Sequence, residues 1–165
     1  ADTLQGMFFF EDRTDLDVLK RHFDFYEPLT VHESSLSPCV HTVLASRLGY
    51  KKKAYELYLR TARLDLDDYN HEVYQGLHVT AMGGTWMSVV YGFGGMKIVG
   101  EDLHFQPLLP EQWTGLSFHL RWRGALLHVQ VAESGLTVAH KDGPDVTFHV
   151  GGMAHTLKCC ETFHA

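Results

Sequence analysis

The chain has 165 residues, of which 45% are hydrophobic and 12% aromatic; that supports one ordinary domain or two small ones and excludes global disorder. Lys and Arg total 14 against 20 Asp and Glu, and a net charge of −6 excludes a nucleic-acid binder working through a basic stripe. There is no run of ~18 apolar residues to cross a membrane and no leader-like opening, and the three cysteines (Cys39, Cys159, Cys160) lack metal-ligand spacing, so free thiols in a reducing, cytoplasmic compartment with no metal are expected.

In chain order, Ala1 to Phe10 reads like the interior of a helix, and the chain is expected to be the C-terminal part of something larger. Leu16, Leu19 and Phe23 fall at helical spacing. Ser37-Pro38 reads as an N-cap with Pro at the first helical position. The helix it opens would carry Val40, Val43, Leu44 and Leu48 on one face and stop at Gly49. A second helix is predicted from Lys51 to Ala62, with Ala54, Leu57, Tyr58 and Ala62 as its stripe. The short link makes the two helices antiparallel. Asp65 to Gln75 reads as a loop in which Asp65, Asp67 and Asp68 brace or cap, since they lack calcium-loop spacing. A third helix is predicted from Gly83 to Phe93, with Met82 and Trp86 in its core. After Gly100 the apolar period becomes two. Leu116 to Trp122 and Leu127 to Val131 alternate, shorter strands follow, and turns are predicted at Arg123-Gly124, Ser134-Gly135, Asp142-Gly143-Pro144 and Gly151-Gly152. The predicted class is α+β, helices first and then a meander of antiparallel strands with one buried face. Leu103 to Trp113 is read as a packed connector.

Two polar segments about forty residues apart, His32 to Pro38 and Gly76 to Trp86, each put hydroxyl, imidazole or glycine groups at the mouth of a predicted helix. Helix N-termini carry unpaired N–H groups and partial positive charge, which together favour anions. Were the two segments to meet, the cradle would contain little carboxylate and would suit phosphate, because like charges at ~4 Å cost about 4 kcal/mol at an effective dielectric of 20. Ser34 and Ser35 are the first candidate donors, with the alternative that they only satisfy the following helix. His78 is the second, against an ordinary buried histidine. Gly83 and Gly84 would let backbone approach the anion, against tight helix packing, and Thr80 adds a hydroxyl. Glu33 is read as structural, since one carboxylate is no acid/base pair.

His32-Glu33-Ser34-Ser35-Leu36-Ser37-Pro38, Thr61 to Asn70, Gly76-Leu77-His78, Gly84-Thr85-Trp86, Gly92-Phe93-Gly94-Gly95-Met96, Leu103 to Pro110 and Trp122-Arg123-Gly124 occur in an order and spacing that resemble the C-terminal end of glycoside hydrolase family 65. The similarity is greatest to its maltose phosphorylase group, with the kojibiose, nigerose and trehalose phosphorylases nearby. The resemblance implies the last helices of an (α/α)6 barrel over residues 1–97 and a small antiparallel β-sandwich domain over 98–165. It implies phosphate binding by Ser34 and Ser35, and a histidine, here His78, where an inverting hydrolase keeps its base. It places the general-acid glutamate upstream of Ala1, so no catalytic residue is expected in this chain. The implied activity is phosphorolysis of an α-glucosidic disaccharide with inorganic phosphate as co-substrate and no cofactor. The implied partners are disaccharide, phosphate and the rest of the barrel, in a homodimeric parent. A trehalase-like hydrolase and a non-catalytic or carbohydrate-binding fragment are the alternatives.

Overall fold

The computed structural model describes residues 1–32 and 36–165. The chain divides into two compact units, Ala1–Gly92 and Phe93–Ala165.

The first unit is helical. Helices α1 (Asp2–Phe9) and α2 (Leu16–Tyr26) are followed by a 3-10 turn, Glu27–Leu29; then come α3 (Leu36–Arg47), α4 (Lys51–Ala62) and the short α5 (Leu64–Asp67). A second 3-10 turn, Val73–Gln75, precedes α6 (Val79–Met87), which widens into a π-helical stretch, Ser88–Phe93. Helix α3 is the centre. Every residue from Pro38 to Ser46 is buried, so it is enclosed on all sides where a single apolar face was expected. Its buried hydroxyls are answered within the helix: Thr42 Oγ1 donates to Pro38 O at 2.9 Å and Ser46 Oγ to Thr42 O at 2.9 Å. Helix α3 ends in a Schellman motif, with Tyr50 N–H on Ala45 O and Gly49 N–H on Ser46 O, and Gly49 at φ 73°. That turn sends α4 back along α3. The expected stripe of α4 holds at Ala54 and Leu57, while Thr61, not Tyr58 or Ala62, completes its buried row.

Three expectations in this unit are corrected. Helix α3 opens at Leu36, so Ser37 lies inside the first turn and is not its cap. Helix α6 opens at Val79, four residues before the predicted start. Met82 and Trp86 are each 52% exposed, and α6 packs instead through Ala81 and Gly84.

The second unit contains two four-stranded sheets, in the orders β1-β2-β6-β7 and β3-β4-β5-β8. The strands are β1 (Met96–Val99), β2 (Asp102–Phe105), β3 (Gly115–Trp122), β4 (Ala125–Ala132), β5 (Gly135–Asp142), β6 (Val146–Val150), β7 (Met153–Leu157) and β8 (Thr162–His164). The predicted alternation in β3 and β4 is real: Leu127, Val129 and Val131 are buried, and Leu116 to Trp122 alternates between half-buried and exposed positions. Arg123 and Gly124, both at positive φ, form the two-residue turn that pairs Trp122 with Ala125. The meander expectation holds only for β3-β4-β5, because β2 pairs in parallel with β6. The segment read as a connector begins inside β2, and its Trp113 packs edge-on against Phe93 at 4.9 Å. Phe148 of one sheet meets Phe163 of the other at 5.6 Å and touches Phe105 on its own sheet at 5.9 Å. Fully burying each such ring contributes about 1.5–3 kcal/mol. The whole chain is therefore α+β, with two antiparallel-rich sheets after the helices. No helix among the described residues is long and apolar enough to cross a membrane.

Candidate functional site

Packing brings the two polar segments of the helical unit to one end. A Cβ on Gly84 would lie 3.0 Å from Cys39 Cβ and 3.2 Å from Thr61 Cγ2, and one on Gly92 would lie 3.5 Å from Thr42 Cγ2 and 3.7 Å from Val43 Cα. Position numbers rise together along both helices, so α3 and α6 run in the same direction. Cys39 lies near the start of α3 and Thr61 near the end of α4. The entrances of α3 and α6 and the exit of α4 therefore share one end of the unit.

Around the α3 entrance the chain is strapped down. His32 has φ 57°, a left-handed conformation uncommon for residues other than glycine. Its carbonyl accepts a 2.8 Å hydrogen bond from Arg60 Nη2 on α4, and its Nδ1 meets Ser37 Oγ at 2.9 Å. Its Nε2 lies 3.6 Å from Glu27 Oε1, which also receives Lys53 Nζ at 3.4 Å. Burial pushes the His32 imidazole below its ordinary range. Burial, reinforced by His32, drives the neighbouring His41 down to about 3. A cleft of about 390 Å³, lined in part by Asp2, Thr30, His32, Leu36 and Ser37, opens on both sequence flanks of positions 33–35. That volume suits a small ligand. Ser34, Ser35 and Glu33 themselves lie outside the described residues.

At the α6 entrance His78 occupies the N-cap position. Its N–H donates to Asp65 Oδ2 at 2.9 Å, and its Nδ1 meets Asp65 Oδ1 at 2.5 Å. Asp65 thus caps α6 from thirteen residues upstream and complements the helix dipole. The imidazole and N–H of His78 hold the Asp65 carboxyl below the usual carboxylate range. The far ring nitrogen, Nε2, stands 3.8 Å from Glu72 Oε2. A donor on Nε2 toward an anion requires the doubly protonated ring, with Asp65 as counter-charge. Two parts of the sequence reading change here. The cradle contains carboxylates, Asp65 and Glu72, where little was expected. Gly83 and Gly84 sit inside α6, where their N–H groups serve the i→i−4 ladder and not the helix entrance; Gly84 is a packing glycine against Cys39 and Thr61. Thr80 is exposed in the first turn. Asp67 pairs with Arg63 at 2.6 Å and Asp68 Oδ1 accepts from Val73 N–H, both bracing the loop as expected. Asp65 as the partner of His78 was not read from sequence; its only signal was an acidic residue in a segment already assigned to bracing.

Among the described residues, two groups bring three ligand-type atoms within 4.8 Å of one another: Glu27, His32 and His41 in the helical unit, and Asp102, His104 and His149 on the β1-β2-β6-β7 sheet. The latter is a surface set, with the two rings stacked at 4.4 Å on paired strands.

Comparison with known proteins places this geometry in a family. Residues 1–87 match the model of the glycosyl hydrolase family 65 central catalytic domain, and residues 96–157 that of the glycosyl hydrolase family 65 C-terminal domain. The chain belongs to glycosyl hydrolase family 65. It is 53% identical over 133 residues to a maltose phosphorylase of Bacillus subtilis (strain 168), covering 81% of this chain and 18% of that protein. It is 43% identical to an alpha,alpha-trehalose phosphorylase of Thermoanaerobacter brockii, covering 90% of this chain and 19% of that protein. A solved structure provisionally described as a kojibiose phosphorylase from human microbiome superposes with a TM-score of 0.91 at 32% identity, over 99% of this chain and 24% of that one. The chain thus spans about a fifth of the length of the curated relatives it matches.

Proposed function

We propose that this chain forms the phosphate-binding part of an inverting disaccharide phosphorylase. The parent enzyme takes an α-glucoside such as maltose and inorganic phosphate to glucose and β-glucose 1-phosphate, without a cofactor. The observation that carries the reading is the shared end of α3 and α6. A ligand-sized cleft is lined by His32, Leu36 and Ser37 at the α3 entrance, and a histidine backed by a carboxylate stands at the α6 entrance. Ser34 and Ser35 supply hydroxyl donors, and His78 supplies Nε2–H with Asp65 behind it. Thr80 adds a hydroxyl in the first turn of α6, where the helix dipole favours an anion. Phosphate is already a nucleophile, so no carboxylate base is needed beside the sugar; the general acid comes from another part of the barrel. Asp65 is not placed as a hydrolytic base, since it commits both of its oxygens to His78. Three free cysteines support a reducing, cytoplasmic setting, and the parent acts as a homodimer, which light scattering of the full-length protein checks.

The test is Ser34→Ala combined with Ser35→Ala in the full-length protein. Loss of charge-aimed donors of this kind costs about 10²–10³ in turnover. The expected result is that loss in phosphate-dependent kcat/KM with disaccharide binding retained; unchanged phosphate dependence would overturn the reading.

A further inference from the structure

Beneath the α3 entrance a carboxylate stands beside two imidazoles whose hydrogen-bonding capacity the fold leaves partly unused. Glu27 comes from the turn after α2, His32 from the segment leading to position 33, and His41 from the second turn of α3. One ligand-type atom of each lies within 4.8 Å of the others. The rings of His32 and His41 meet edge to face at 4.8 Å. His41 is 1% exposed, and neither of its ring nitrogens has a hydrogen-bond partner; His32 Nε2 is likewise buried without one. Three of the five such orphaned side-chain atoms among the described residues therefore sit at this single point. A neutral imidazole has one donor and one acceptor to satisfy, and leaving each unmade in the interior costs about 1–3 kcal/mol. Something that binds here removes that cost.

We propose that Glu27, His32 and His41 bind a divalent transition-metal ion, with zinc the best match, and that solvent fills the fourth position. Two imidazoles and one carboxylate form a borderline-soft donor set suited to zinc, and an open fourth position is common in such sites. The surroundings contain the supporting groups that metal ligands use. Ser37 Oγ holds His32 Nδ1 at 2.9 Å, which orients Nε2 toward Glu27. Lys53, with its side chain 42% exposed, lies 3.4 Å from the Glu27 carboxylate and can swing into solvent when a cation takes its place. A cleft of about 290 Å³ lined by Glu27, His32, Lys53 and Arg60 gives an entry path and room for the solvent ligand. Closing the donors onto zinc draws them from separations of up to 4.8 Å to about 3.3 Å, a side-chain adjustment set by Zn–N and Zn–O bonds of about 2.0–2.1 Å. The ion would staple the turn after α2 to the core helix across His32, two residues before Ser34. The metal site does not rest on the proposed function.

The test is zinc titration of the full chain after chelator stripping, followed by metal analysis of gel-filtered protein and by thermal melts with and without zinc. The exposed set on the β-sheet is the internal control. The expected result is one equivalent of zinc retained and a raised Tm, both unchanged in His104→Ala. Retention is expected to be at least about 10-fold weaker in His41→Leu and in Glu27→Gln. Glu27→Gln is nearly isosteric, so it remains informative if His41→Leu fails to fold. Two results would overturn the proposal: a wild type that retains no zinc, or zinc lost in His104→Ala while Glu27→Gln keeps it. Phosphate turnover is not read in this assay, so failure here and failure of the phosphorylase reading are separable.

Discussion

The helical and β units of this chain solve the burial problem in opposite ways. In the β unit the core is apolar, His140 is the one buried polar side chain named among the described residues, and only Ile98 and Met153 stand out as exposed large hydrophobics. The helical unit buries Glu27, His41, Thr42, Ser46, Thr61 and Ser88, and it exposes Phe25, Leu29, Val31, Leu77, Val79 and Trp86, among others. Buried polar and exposed apolar groups are the informative departures from a simple core. Most of the buried polar groups are inert. The hydroxyls of Thr42, Ser46, Thr61 and Ser88 donate to carbonyls one turn back. Once those are set aside, Glu27 and His41 remain, and both lie beside the segment that leads to Ser34. The departures from a simple core thus concentrate in the helical unit, which carries the candidate site.

Mutations can break this contrast, beginning with the largest expected effect. Phe148→Ala removes a ring that is 0% exposed and touches Phe105, Phe163 and His155. It should destabilise the β unit by about 3–5 kcal/mol, read as a lowered urea midpoint in that unit's transition; a loss below about 1 kcal/mol would mean the two sheets do not share a core. Gly84→Ala should destabilise by about 1–3 kcal/mol, because its Cβ would press at 3.0 Å on Cys39 Cβ, which the α3 backbone fixes. Gly83→Ala, one residue earlier with nothing within 4 Å, should stabilise by about 0.5–1 kcal/mol. Opposite signs at adjacent glycines would confirm that one is packing and the other is surface; equal signs would reverse the assignment of the α6 face.

How much of this was legible in the sequence differs between the same two units. Helix α4 and the glycine stop of α3 were readable because local chemistry decides them: a cap glycine, a short link and a run of good helix formers. The hairpins at Arg123-Gly124 and Gly151-Gly152 were readable for the same reason. Strands β1 and β2 were not, since four residues such as Met96–Val99 are too few for a period to emerge. The start of α6 was misplaced because Val79 and Thr80 are β-branched and the glycine pair looks like an entrance. Asp65, thirteen residues away, supplies the cap that sets the true start. The grouping of Glu27, His32 and His41 is likewise long-range, and no spacing rule reaches it.

The smallest predicted effect probes that distant cap. Hydrogen bonds from His78 depress the Asp65 carboxyl in the folded state. Its contribution is therefore present above its unfolded pKa, near 4, and is lost as pH falls through the lower folded value. Asp65→Asn should lower Tm at neutral pH, and the gap to the wild type should close as pH drops below about 4. A gap independent of pH would remove the carboxylate from the account of α6.

The most direct test of the central claim is product analysis of the full-length protein with maltose, run with and without inorganic phosphate. Phosphorolysis predicts β-glucose 1-phosphate and one glucose per turnover with phosphate, and no turnover without it. Glucose released at the same rate in the absence of phosphate would contradict it.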